Sequence, residues 1–319
     1  MAKLISIIIP IYNEEGNIYL LKKRLFDILE KLNENFELVF VNDGSKDKSF
    51  EILKELSKET EKIKIINLSR NFGHQIAVSA GIENCNGDCA VIIDADLQDP
   101  PELIIELYEK WKEGYDVVYA QREKRKGENF FKLATASIFY RVLKQFTNID
   151  IPVDTGDFRL IDRKVINALN TMPERQRFIR GMISWIGYKQ IGVKFVREKR
   201  HSGETKYPLK KMLKFALTGI TSFSFLPLQF ATYLGFIVSG FSFIIVLFVL
   251  YLKFFTNKTI QGWSSLAIII LFMGGIQLIC TGIIGEYLGR IGEEVKHRPL
   301  YLIDEKVNFK DKEEKNIKS

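Results

Sequence analysis

Cysteine and histidine are scarce in this chain, three of each in 319 residues. Cys85 and Cys89 lack the CxxC spacing of a zinc or redox pair, and Cys280 falls inside a long apolar run. All three cysteines therefore read as reduced and inert, and no cluster of His and Cys supports zinc. Neither GxGxxG nor GxxxxGK[ST] occurs, which counts against a dinucleotide fold and a P-loop. Charge is missing altogether from Phe215 to Leu252 and again from Thr259 to Gly285. Each run exceeds the roughly 20 apolar residues that a helix needs to cross a bilayer. Such runs are rare in soluble folds, so membrane helices are expected near Leu228–Leu252 and Leu266–Gly285, joined by a loop around Lys253–Trp263.

The charges that are present gather beside those runs. Arg197, Lys199, Arg200, Lys206, Lys210, Lys211 and Lys214 precede the first, and Arg290, Lys296 and Arg298 follow the second. The connecting loop carries only Lys253 and Lys258. This bias predicts an integral protein of the inner membrane with both ends cytoplasmic and the loop outside. It also accounts for the net charge of +7 and the pI near 9.0 better than nucleic-acid binding does. Met1–Pro10 reads as a strand followed by a polar turn rather than as a signal peptide. Gly235, Ser239, Gly274, Gly275 and Gly282 would permit close helix packing, so a homo-oligomer is compatible with the spans.

The first 120 or so residues alternate strand and helix. Strands are expected at Leu4–Ile9, Phe36–Val41, Ile63–Leu68, Val91–Ile93 and Asp116–Tyr119, with helices at Ile18–Leu32, Lys48–Lys58, His74–Glu83 and Pro101–Trp111. Ser45 is placed to cap the second helix, with Asp47 at its positive end. Alternation of this kind implies an α/β fold, a Rossmann-like and mostly parallel sheet covered on both faces. Phe130–Phe146 suits either an interfacial helix or an ordinary core helix, and Leu209–Phe223 turns from basic to apolar as a helix entering a bilayer would. The tail beyond Tyr301 alternates Lys, Asp and Glu and is expected to be partly disordered. The predicted division is a cytoplasmic domain over 1–208, an amphipathic juxtamembrane helix over 209–226, two spans over 227–290 and a cytoplasmic tail over 291–319.

Ligands of such sheets bind outside the carboxyl ends of the strands. Polar turns fall there three times: Pro10-Ile11-Tyr12-Asn13-Glu14-Glu15, Asn42-Asp43-Gly44-Ser45 and Asp94-Ala95-Asp96-Leu97-Gln98-Asp99-Pro100. A single acidic turn can equally be a solvated loop. Two carboxylates one residue apart repel unless a cation or basic partner joins them, and a hard cation shares its oxygen ligands with substrate phosphates. Three acidic turns on one sheet edge therefore read as a metal–diphosphate site.

These motifs, with Asp154-Thr155-Gly156-Asp157-Phe158-Arg159-Leu160 and His201-Ser202-Gly203-Glu204-Thr205-Lys206-Tyr207, resemble the GT-A glycosyltransferases of family 2. Two C-terminal spans make the chain similar to their polyisoprenyl-phosphate branch, which includes bactoprenol glucosyltransferases and dolichol-phosphate mannosyltransferases. The resemblance implies a GT-A domain followed by a two-helix transmembrane hairpin. It implies inverting transfer of a sugar from a nucleotide sugar, UDP-glucose first, to a polyprenyl phosphate such as undecaprenyl phosphate. It implies Mg²⁺ or Mn²⁺ at Asp96, with Gln98 as second ligand, and Asp94 orienting the nucleotide or the metal shell. Pro10, Tyr12, Asn13, Glu14 and Glu15 would lie along the nucleotide, with Asp43 accepting from the base. Asp157 is the candidate general base, with pairing to Arg159 as its structural alternative. An acceptor phosphate is already largely ionised, because its second pKa is about 6, so orienting is at least as much of that role as proton transfer.

Arg122, Arg125, Lys126, Arg200 and Lys206 are candidates for the diphosphate and acceptor phosphate, since Arg clamps phosphate in a planar fork. Several could equally face anionic headgroups. His74 and His297 read as structural, and His201 stays undecided. Two rivals remain. A processive polysaccharide synthase would carry Gln-x-x-Arg-Trp, but Gln176-Arg177-Phe178-Ile179-Arg180-Gly181 lacks Arg-Trp. A non-catalytic binding protein on the same scaffold is opposed by the intact Asp94, Asp96 and Asp157.

Overall fold

The computed structural model describes residues 2–123, 152, 155–196, 226–255 and 262–309. Arg125, Lys126, Arg200, His201, Lys206 and the stretches Phe130–Phe146 and Leu209–Phe223 lie outside the described residues. The chain divides into two compact units, Met1–Met212 with Arg298–Ser319, and Leu213–His297.

The first unit is built on one eight-stranded sheet. Its strands are β1 (Leu4–Ile11), β2 (Asn35–Asn42), β3 (Ile63–Leu68), β4 (Cys89–Ile92), β5 (Val117–Arg122), β6 (Thr155–Asp162), β7 (Gln190–Phe195) and β8 (Ile303–Val307). Their order across the sheet is β7-β5-β6-β4-β1-β2-β3-β8. Pairs β1/β2, β1/β4, β2/β3 and β5/β7 are parallel, whereas β4/β6, β5/β6 and β3/β8 are antiparallel. The sheet is mixed and mostly parallel, as the alternating pattern requires.

Central strands are buried on both faces, which is why they read as unbroken apolar runs. Seven of the eight residues of β1 are buried, among them Ile5, Ile7, Ile8, Ile9 and Ile11. Helices α1 (Ile18–Leu29), α2 (Ser49–Glu59), α3 (His74–Asn84) and α4 (Ile104–Lys112) follow the first four strands, and α5 (Arg163–Thr171) and α6 (Ile179–Ile186) follow β6. The inward face of α1 is Ile18, Leu21, Leu25, Ile28 and Leu29, a helical period of three and four. A 3-10 turn over Glu30–Leu32 ends at Asn33 with φ 52. Gly81 lets α3 lie flat on the sheet, since a Cβ there would fall 2.3 Å from Ile8 Cγ2.

One expectation needs correction. Ser45 does not cap α2: its Oγ accepts from Asn13 N at 3.0 Å, and Asp47 Oδ1 accepts from Ser49 N at 3.1 Å instead. The helix begins three residues later than a Ser45 cap would require, so Ser45 is left to tie two turns together. Within the tail beyond Tyr301, expected to be partly disordered, Ile303–Val307 forms β8 against the edge of β3. Backbone pairing supplies what its polar composition conceals. Asn308 Nδ2 also donates to Ser57 O and Ile63 O at 2.8 Å each.

The second unit contains α7 (Leu226–Phe255) and α8 (Trp263–Val295), which hold the two predicted spans. Cys280 Sγ lies 3.7 Å from Ala231 O, joining the two helices. Among the described residues, Phe272–Val295 is the stretch long and apolar enough to cross a membrane, and Ala231–Ile245 is a shorter apolar segment.

Candidate active site

The turn after β4 has an alternating build. Ala95, Leu97 and Asp99 point into the protein, and Asp94, Asp96 and Gln98 are partly exposed. Leu97 holds φ 58, a left-handed conformation that is uncommon for a residue with a Cβ. Burial of its side chain fixes the turn, and Asp96 Oδ1 accepts from Gln98 N at 3.1 Å. Both outward carboxylates are thereby presented at the carboxyl edge of β4.

The turn after β1 is similarly locked. Asn13 has φ 53, donates its backbone N–H to Ser45 Oγ, and accepts Lys46 N on Oδ1 at 2.8 Å. Glu14 accepts from Asn17 Nδ2 at 2.7 Å, and Glu15 accepts from Lys48 N at 2.9 Å. These carboxylates tie the turn to the starts of α1 and α2. Pro10 is buried in β1, while Tyr12 is exposed beside it.

Asp43 is buried after β2, and burial pushes its carboxyl pKa up against two backbone donors. Its Oδ1 accepts from Phe72 N at 2.7 Å and its Oδ2 from Gly73 N at 2.9 Å. Asn71 Nδ2 donates to the Asp43 carbonyl at 3.1 Å. Asp43 thus organises the loop after β3, in addition to whatever it offers a ligand. Gly44, at φ +62, lets that loop approach: a Cβ would meet Arg70 C at 2.5 Å and Asn71 N at 2.6 Å.

The same loop delivers His74, expected to be structural, into the group of carboxylates. His74 Nε2 lies 3.2 Å from Asp157 Oδ2 and 3.5 Å from Asp94 Oδ1, bridging carboxylates from β6 and the β4 turn. Burial alone would lower the imidazole pKa, but Asp94 and Asp157 raise it from 6.5 to about 9. The ring is therefore a cation at neutral pH. It supplies the basic partner that the acidic turn demands.

Asp157 is held on every side. Gln75 Nε2 donates to its Oδ2 at 2.8 Å, and Arg180 Nε is 3.0 Å from its Oδ1. Burial would raise this carboxyl, yet Arg180, His74 and Arg159 together hold it well below the usual carboxylate range. Its direct partner is Arg180 rather than Arg159, whose Nη2 donates to Gly156 O at 2.9 Å. Arg180 Nη1 also donates to Thr155 O at 3.0 Å, and Gln75 Oε1 accepts from Ile179 N, so α6 is pinned to the site.

Of the predicted phosphate-binding cations, Arg122 is the one among the described residues. Its Nη2 is 3.9 Å from Asp99 Oδ1 and packs against Gly156, where a Cβ would fall 2.8 Å away. No sequence motif marks His74, Gln75 or Arg180 as site residues. The available signal was position: the loop after β3 ends at the same sheet edge as the three acidic turns. Among the described residues no group of three or more His, Cys, Asp or Glu could hold a metal ion by itself. Asp94, Asp96 and Gln98 are a purely oxygen donor set, which fits a hard divalent cation that completes its shell with diphosphate and water.

Residues 6–169 match the family model described as glycosyl transferase family 2. An uncharacterized glycosyltransferase of Bacillus subtilis, YkcC, is 56% identical over 307 residues, covering 96% of this chain and 95% of its own. A prophage bactoprenol glucosyl transferase homolog of Escherichia coli is 40% identical over 299 residues, covering 94% of this chain and 98% of its own. The bactoprenol glucosyl transferase of Shigella phage SfV is 39% identical, covering 94% of this chain and 97% of its own.

Proposed function

Because this chain belongs to glycosyl transferase family 2, we propose that it transfers a sugar, glucose first, from a nucleoside diphosphate sugar to a polyprenyl phosphate. The observation that carries the reading is the meeting of Asp94 and Asp157 on His74, beside the turn that presents Asp96. A relative named as a bactoprenol glucosyl transferase homolog supports the choice of acceptor and sugar.

The acceptor oxygen forms a new bond to the anomeric carbon as the bond to the diphosphate breaks, with inversion. Negative charge then develops on the departing nucleoside diphosphate. Asp96, with Gln98, would hold Mg²⁺ or Mn²⁺, which supplies Lewis-acid stabilisation of that leaving group. Pro10, Tyr12, Asn13, Glu14, Asp43 and Asp94 line the nucleotide side. Arg122, Arg125, Lys126, Arg200 and Lys206 are assigned to the diphosphate and the acceptor phosphate. Asp157, kept anionic by Arg180 and His74, is a weak base. That suits it to orienting sugar and acceptor rather than taking a proton, and a phosphate dianion has little proton to give.

Helices α7 and α8 would anchor the enzyme in the inner membrane with both termini cytoplasmic, so that the lipid phosphate meets the site at the surface. The test uses the full-length chain in detergent with polyprenyl phosphate, Mg²⁺ or Mn²⁺, and radiolabelled UDP- and GDP-sugars. One donor should give metal-dependent label in the organic phase, abolished by Asp96→Ala. Absence of lipid label from every donor would sink the proposal, and label in a high-molecular-weight aqueous product would favour a polysaccharide synthase.

A further inference from the structure

The sheet is crossed at its polar edge by one continuous line of hydrogen bonds running β8, β3, β2, β1. Asn67 Nδ2 donates to Asp304 Oδ2 at 3.1 Å. Asn42 Nδ2 donates to Asn67 Oδ1 at 2.7 Å, and Ser45 N donates to Asn42 Oδ1 at 3.4 Å. Asn13 N then donates to Ser45 Oγ at 3.0 Å. Every donor points the same way, toward Asp304.

That direction is not a free choice. An amide side chain can present oxygen or NH₂ to a given neighbour, but the Ser45 backbone N–H can only donate, so it fixes Asn42 with Oδ1 toward Ser45 and Nδ2 toward Asn67. A carboxylate can only accept. Asp304 therefore compels Asn67 to offer Nδ2 outward and Oδ1 inward. The two ends of the line, the Ser45 N–H and the Asp304 carboxylate, thus demand the same polarity. Were Asn67 reversed, NH₂ would face NH₂ at Asn42, or Asn42 would turn NH₂ toward the Ser45 N–H. Asn42 and Asn67 are 2% and 8% exposed, so water cannot repair such a mismatch.

We infer that Asp304 is a remote positioning residue for the donor edge, closing from its outer end the Asn67–Asn42–Ser45 line that holds the turns after β1 and β2. The inference rests on the reading of those turns as the nucleotide-binding edge. Docking of β8 does not depend on Asp304 alone: Tyr301 Oη donates to Glu83, Lys306 Nζ to Asn84 Oδ1, and Asn308 Nδ2 to Ser57 O and Ile63 O.

Asp304→Lys replaces an obligate acceptor by an obligate donor, sets it against Asn67 Nδ2 and should release the outer end of the line. The double variant Asn67→Asp with Asp304→Lys places an acceptor-only group one step inward, which again closes the line at Asn42. In full-length protein in detergent, hydrogen exchange is followed over residues 11–17 and 42–49, with melting temperature and affinity for UDP and GDP in the presence of Mn²⁺. Asp304→Lys should speed exchange in both segments about ten-fold and weaken the nucleotide that binds about five-fold, as expected for losing one or two buried hydrogen bonds. The double variant should return both toward wild type. Unchanged exchange in Asp304→Lys would overturn the inference, as would a double variant that melts like wild type yet exchanges like the single one. If wild-type protein binds neither nucleotide, the donor-edge reading fails, while the exchange data still decide the part of Asp304.

Discussion

Arg180 Nε stands 3.0 Å from Asp157 Oδ1, and the two side chains are largely buried together at the mouth of the sheet edge. The pair joins α6 to β6, elements that no local sequence motif connects. It keeps Asp157 ionised in a place where burial alone would favour the neutral acid.

Arg180→Ala removes one member of that pair and its bond to Thr155 O. Breaking a buried pair costs about 3–5 kcal/mol, and His74 and Gln75 remain on Asp157, so about 3 kcal/mol is expected. Denaturant unfolding of the wild-type and variant proteins measures it. Arg180→Lys should retain part of the charge stabilisation and lose the fork geometry.

Asp157→Asn keeps the shape and removes the charge. Turnover should drop by about a hundred-fold or more, in the range seen for displaced acid–base or orienting groups. A loss of only a few-fold in the lipid-transfer assay would strike Asp157 from the catalytic residues.

The His74 imidazolium gives the metal-free protein a pH signature. Its folded pKa, about 9, is above the ordinary 6.5, so its stabilisation is complete below 6.5 and disappears as pH rises through 9. Asp157 has the opposite sign: its contribution is present above the ordinary value of about 3.9 and is lost as pH falls below it. Unfolding free energy from these two groups should therefore be level between about pH 4 and 6.5 and decline on either side. His74→Gln should flatten the alkaline limb. A limb of unchanged slope in that variant would exclude His74 as its source.

Gly44→Ala tests the close approach of two loops. The new Cβ would need the Arg70–Asn71 backbone to retreat, at a left-handed φ that disfavours alanine. A loss of roughly 1–3 kcal/mol in stability is expected. The Phe72 and Gly73 donors move with that backbone, so nucleotide affinity should weaken as well.

The parts of the fold legible in sequence were those whose burial leaves an apolar record. Strands β1 to β5 are apolar runs or half-runs, and α1 repeats its inward residues at helical spacing. β6 and β8 leave no such record. β6 carries Asp157 and Arg159, whose burial is made tolerable by partners from α3, α6 and Gly156. β8 reads Ile303-Asp304-Glu305-Lys306-Val307 and is held by backbone pairing to an edge and by side chains reaching α3. Asp94 and Asp96 in their turn and Asp157 on β6 could be picked out because motifs surround them. His74 carries no motif of its own, and beyond its place at the same sheet edge its importance arises only when Asp94 and Asp157 arrive from distant points of the chain.

The place of β8 in the chain has a consequence for biosynthesis. Residues 303–307 leave the ribosome only after α7 and α8 have been made, yet they cover the edge of β3, a strand translated near the start. Until then β3 presents open backbone groups and the Asn67 amide has no carboxylate to orient it. The sheet is thus finished last, and a chain halted before residue 304 would keep every acidic turn while lacking the carboxylate that Asn67 reaches.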